Sequence, residues 1–145
     1  MFSKKLIVGA VVASTFTATA IASDSSLKDA WNNSVGLHNE RASVLSACSA
    51  LASQLSAQNP DGNAGDVFKN TAFKTAEMAT GILIQGGDQE QEAVATIKKD
   101  IAAFEGRFNL VINDVSLDAT AQAKLKDDTL FCVQFNALSS TKPNI

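Results

Sequence analysis

Residues 94–111 read VATIKKDIAAFEGRFNLV, and their spacing decides the fold class. Val94, Ile97, Ile101, Phe104, Phe108 and Val111 recur at steps of three and four. In a helix of 3.6 residues per turn these side chains line one stripe, an apolar seam that must be covered by other helices. Asp88 with Gln91 has the pattern of a capping box at the start of this helix, and Asn113-Asp114 ends it.

Working outward, the same period recurs on both sides. Upstream, a helix is expected from Asp66 as cap to about Gln85. Its stripe is Phe68, Ala72, Ala76, Ala79 and Leu83, widened by Phe73 and Ile82, and Gly86-Gly87 closes it. Before that, Trp31, Val35, His38, Ala42, Leu45, Cys48, Ala52 and Leu55 define a helix from Ser26 to about Ala57. Ser26 and Asp29 provide its cap, and Gly36 inside it is a point for a kink or break. Asn59-Pro60-Asp61-Gly62-Asn63 is the turn between these two helices. Downstream, a fourth helix starts near Ser116 or Asp118 and carries Ala121, Leu125, Cys132, Phe135 and Leu138, leaving Lys142-Pro143-Asn144 as a tail. No stretch alternates with period two for long. Four helices with short connections imply an all-α antiparallel four-helix bundle.

The two cysteines test that topology. In an up-down bundle the first helix ends where the fourth begins. Cys48 lies about ten residues before the first end, roughly 15 Å, and Cys132 about fourteen residues after the second start, roughly 21 Å. The levels agree to about a turn, so one disulfide joining the first and fourth helices is expected. Two buried free thiols are the alternative.

Residues 1–22 have the form of a cleaved secretory signal. Lys4 and Lys5 precede the apolar run Leu6 to Phe16, and Ala20-Ile21-Ala22 is a small-x-small cleavage site. The run is shorter than the ~20 residues a membrane span needs. No cysteine follows the site, so no lipid anchor is expected there. The expected mature domain, residues 23–145, loses Lys4 and Lys5 and keeps ten basic and fifteen acidic side chains, a net charge of −5. That balance disfavours nucleic acid and anionic membrane surfaces and suits a basic protein partner. The style of the signal is bacterial, so the expected destination is the periplasm, with the medium as the alternative.

Little in the composition supports catalysis. The 145 residues hold one histidine, two cysteines, one tryptophan and no tyrosine. A four-thiolate or histidine-rich metal site is therefore out of reach, and no metal or cofactor is expected. His38 has Asp29, Ser34 and Ser43 nearby in sequence but no nucleophile-elbow motif, so a histidine at the core edge is the expected role. His38 and Met78 are the one pair able to ligate a b-type haem between helices. Glu40, Glu77, Glu90, Glu92 and Glu105 fall mostly opposite the apolar seams, as solvated faces do.

The distinctive surface stretch is residues 85–92, QGGDQEQE. It lies in a window from Lys74 to Lys98 that holds four acids, Glu77, Asp88, Glu90 and Glu92, and no base. Gln85, Asp88, Gln89, Glu90 and Glu92 form an acidic, hydrogen-bonding corner for a partner. Its acids also suit the positive end of a helix dipole. The opposite loop offers Asn59, Asp61 and Asn63 in the same way.

With its signal segment, its Cys48–Cys132 pair, its helical pattern and its acidic balance, the mature chain resembles the small exported immunity proteins of bacterial type VI secretion systems. It is most similar to the Vibrio-type proteins that protect against a lysozyme-like muramidase effector. The resemblance implies a non-enzymatic antitoxin that binds an exported peptidoglycan hydrolase and blocks its active-site cleft, with a homodimer left open. A bundle carrying a small ligand or haem, or a stress adaptor, is the alternative.

Overall fold

A computed structural model describes residues 25–140. Every regular element among them is a helix: α1 Leu27–Asn32, α2 His38–Gln58, α3 Asn63–Gln85, α4 Glu90–Ile112 and α5 Ala119–Ser140. The expected signal segment and the 142–144 tail lie outside the described residues. The four long helices form an antiparallel bundle, and α1 is a short cover over it.

The expected first helix is two helices. The chain breaks at Gly36, whose φ of +78° is a conformation that side chains resist. Val35 and His38, expected on the buried stripe, are therefore exposed. Ser26 caps α1 as expected, its Oγ accepting from the Asp29 N–H at 3.1 Å. Asp118 likewise caps α5, its Oδ1 accepting from the Ala121 N–H at 2.8 Å.

Two other expected caps do not form. Gly62, with φ +112°, turns the chain straight into α3 at Asn63, a turn before Asp66. Gly65 then lies so close to the carbonyl oxygen of Asn59 that a Cβ there would overlap it. At the other end of α3, the Asp88 N–H donates to the Leu83 carbonyl and the Gly87 N–H to that of Ile84, each at 3.0 Å. This is a Schellman closure, with Gly87 at φ +110°. Asp88 is thus committed to ending α3, and α4 starts from Gln89 with no side-chain cap.

The centre of the bundle is α2. It packs on all four other helices and most closely on α3. The helices α4 and α5 each pack on both α2 and α3 but not backbone to backbone on each other, so they flank that pair. The sequence explains the arrangement. From Val44 to Ala52 every residue is buried, and most are alanine or serine. Small side chains let neighbouring backbones come close, and a helix apolar all round belongs in the interior. The single stripe expected here is in fact a helix with no outward face over this run.

Buried hydroxyls are satisfied by backbone carbonyls, as burial requires. The Ser46 Oγ donates to Ala42 at 2.9 Å, and the Ser49 Oγ crosses to Ala72 of α3 at 2.7 Å. On α3, Thr71 and Thr75 are fully buried and donate to Val67 and Thr71 at 2.8 and 2.7 Å. The buried face of α3 therefore runs through Thr71, Thr75, Ala79 and Leu83. Phe73, two residues from each threonine, is rotated about 200° away and is 66% exposed rather than part of the stripe.

The seam of α4 behaves as its spacing predicts, with Ile97, Phe104 and Phe108 buried and Val94, Ile101 and Val111 half-buried. Cys48 and Cys132 are joined in a disulfide with Cα atoms 5.2 Å apart, linking α2 to α5. The level-matching expectation holds, and neither thiol is free. A disulfide between buried cysteines suits an oxidising, exported compartment.

Candidate functional site

Antiparallel connectivity gathers the start of α2, the end of α3 and the start of α4 at one end of the bundle. Gln85, Asp88, Gln89, Glu90 and Glu92 all lie there, all exposed. Their side chains make no hydrogen bond or ion pair within the described residues. His38 belongs to the same end. Its Cβ and Cγ lie 3.0 Å from where a Cβ on Gly86 would stand, so its imidazole packs over the glycine turn. The α1–α2 loop adds exposed Val35 and Leu37, and the last turn of α3 adds exposed Ile84. The corner is thus a mixture of free carboxylates, amides and exposed aliphatic groups on three rigid helix ends. Carboxylates near the start of α4 also favour its dipole.

Asn59, Asp61 and Asn63 are exposed at the opposite end. The Asn59 Nδ2 donates to the Leu55 carbonyl at 2.8 Å and so helps close α2. The 23 residues of α3 separate the two groups by about 34 Å. They do not form one site on one chain.

The other candidates are not assembled. No hydrogen bond joins His38 to Asp29, Ser34 or Ser43 among the described residues, and the Ser34 Oγ donates to the Trp31 carbonyl at 2.7 Å. Met78 lies eight residues before the glycine that His38 covers, about 12 Å along the axis, so the two do not converge on one iron. Among the described residues no cluster of His, Cys, Asp or Glu could hold a metal ion. No helix there is long and apolar enough to cross a membrane.

One functional-looking residue escaped the sequence reading. Asp128 on α5 is buried. Its Oδ1 accepts from the Leu27 N–H of α1 at 2.9 Å, and its Oδ2 accepts from the Lys124 Nζ at 2.9 Å. Both oxygens are engaged, so this carboxylate acts as a clamp for α1. The signal was present: 121, 125, 128, 132 and 135 step 4-3-4-3, and Asp128 fills the gap in the expected seam. Beside it an open cavity of about 350 Å³ is lined by Ser26, Lys28, Asp127 and Phe131. Above Asp128, Trp31 lies edge-on to Phe135 at 5.1 Å, with the Arg41 guanidinium 4.2 Å from its ring centre.

Two carboxyls away from these places are shifted from their ordinary range. Burial pushes Asp100 on α4 up, against the pull of Lys99. In the α4–α5 loop, hydrogen bonds from the hydroxyl and N–H of Ser116 hold Asp114 down.

Comparison with protein families, with characterised proteins and with solved structures finds no match to this chain.

Proposed function

We propose that this protein is a periplasmic immunity protein that binds a peptidoglycan-degrading type VI secretion effector and blocks its active-site cleft. The observation that carries the reading is the α3–α4 corner. Asp88, Glu90 and Glu92 stand exposed and uncommitted beside Leu37 and Ile84. Apolar anchors within a polar rim are what a protein–protein contact needs. The corner is built on the ends of three packed helices, and a preorganised contact surface lowers the entropic cost of binding. Acidic groups would steer the protein to a basic wall hydrolase, and a corner of three helix ends would occlude a glycan groove by insertion. A stable complex would cover roughly 800 Å² on each partner.

The test is a pull-down of residues 23–145 with exported muramidases, then calorimetry on the captured hydrolase and a cell-wall lysis assay. The expected result is inhibition of lysis, with affinity falling at least about tenfold when Asp88, Glu90 and Glu92 are replaced by serine. Unchanged affinity in that variant removes the corner as the contact. Failure to bind or inhibit any wall hydrolase removes the function.

A further inference from the structure

The open cavity beside Asp128 has walls from two helices. On α5, Asp127, Phe131 and Gln134 step 4-3, so they share one stripe of the helix. Leu130 extends the apolar part of that stripe, and Lys28 of α1 lines the cavity with it. At about 350 Å³ the cavity falls within the roughly 300–1,000 Å³ of small-molecule sites. Its apolar surface is fixed in place, because Phe131 is half-buried and lies edge-on to Phe135 at 5.1 Å. Leu130 is 56% exposed, so the bundle itself does not use it.

The charges around the cavity are not matched within the chain. Lys28 and Asp127 are both exposed, and neither forms an ion pair or side-chain hydrogen bond within the described residues. They line one cavity without pairing with each other. The buried Asp128 lines it too. Each carboxylate oxygen can accept two hydrogen bonds. Here each accepts one, from the Leu27 N–H and from the Lys124 Nζ. Acceptor capacity therefore remains on a carboxylate that is already held in one position.

We propose that this cavity binds a small zwitterion, a free α-amino acid or dipeptide with an apolar side chain. Its ammonium group donates to Asp127 and Asp128, and its carboxylate accepts from Lys28. Its side chain covers Phe131 and Leu130, and Gln134 supplies a donor or an acceptor. Other small ligands fit the walls less well. A simple anion meets two carboxylates, a simple cation meets Lys28, and an uncharged apolar molecule leaves every charge unmatched. The ligand ties α1 to α5 across the cavity, so its binding stabilises the docked α1. The proposal is independent of the hydrolase reading, because the cavity shares no residue with the α3–α4 corner.

Isothermal titration calorimetry of the oxidised protein with L-leucine and with L-leucyl-L-leucine tests the proposal, circular dichroism confirming that each variant is folded. At least one of the two should bind with a Kd of about 1 mM or below. Amidating the carboxylate of that ligand, or acetylating its ammonium group, should each weaken binding about tenfold. Lys28→Ala should weaken the zwitterion about tenfold and leave the amidated form unchanged. Asp127→Asn should weaken the zwitterion and leave the acetylated form unchanged. Bound ligand should also move the fluorescence transition of Trp31 on α1 to higher urea. No binding of either ligand at about 10 mM overturns the proposal. So do capped forms that bind as tightly as the zwitterion, and so does binding indifferent to both substitutions, which would lie elsewhere.

Discussion

Replacing Asp128 by alanine should loosen α1 before it loosens the bundle. The carboxylate accepts from the Leu27 N–H, 101 residues away in the chain, and from Lys124 one turn before it. Removing it leaves a buried N–H with no acceptor, which costs about 1–3 kcal/mol. The Lys124 side chain is 23% exposed, so losing that pair adds at most about 1 kcal/mol. The expected loss is about 1–4 kcal/mol, a large share of the roughly 5–15 kcal/mol that holds a domain folded. Asp128→Asn keeps an amide oxygen for Leu27 and should cost about 1 kcal/mol, the difference between a charged and a neutral acceptor. The assay is urea unfolding of the oxidised protein. Far-ultraviolet circular dichroism follows the bundle. Fluorescence of Trp31, the single tryptophan, follows α1, because its ring is held between Arg41 and Phe135. In Asp128→Ala the fluorescence transition should fall at lower urea than the dichroism transition. Coincident transitions within about 0.5 kcal/mol of the parent would refute the clamp, since that is the scatter of an ordinary surface substitution.

Three further outcomes follow from features elsewhere. Replacing both cysteines by alanine opens a covalent loop spanning 84 positions, and the chain-entropy argument gives a loss of up to about 4.6 kcal/mol, readable as a lowered Tm. Asp100→Asn should stabilise the protein by a few tenths of a kcal/mol at pH 7, the effect being discounted because the group is only half-buried. The sign follows from burial: the folded carboxyl titrates above the unfolded one, so stability falls as pH rises through that interval. The gain should therefore vanish below about pH 3.9, where both states are protonated, and urea melts at two pH values would show it. Gly65→Ala should destabilise by about 1–3 kcal/mol, because its methyl group would collide with the Asn59 carbonyl, and thermal unfolding would register it.

The long-range plan of the fold was legible because it rests on period and punctuation. The α4 seam, the glycine stop after α3 and the matching heights of Cys48 and Cys132 depend on spacing and on glycine placement, whereas at Gly36 the sequence marked only a weak point in one expected helix that the structure divides in two. What was not legible depends on a residue's second use. Asp88 has the chemistry of a cap for α4 but donates its N–H to the Schellman closure of α3. Thr71, Thr75 and Asp128 look like surface residues by polarity, yet each sits on a seam and finds its partner there. Phe73 looks like core by hydropathy, yet the threonines on either side of it fix the buried face elsewhere. The acidic corner was visible as composition. The contribution of His38, Leu37 and Ile84 to it was not, because only the topology brings three helix ends together.

The block from Val44 to Ala52 constrains how this sequence can drift. On an ordinary amphipathic helix, tolerated substitutions recur each turn, so descendants diverge while a sparse pattern survives. Here no position faces outward, and every enlargement pushes against a neighbouring backbone. Tolerance should be low across the whole block, with only exchanges among alanine, serine, glycine and cysteine accepted at most sites. The exposed loops and the solvent-facing positions of α4 are freer to change. Distant kin would then share little except a compact tract of small residues around one cysteine, with a second cysteine some eighty positions later. A search built on that tract would find them where whole-chain comparison does not.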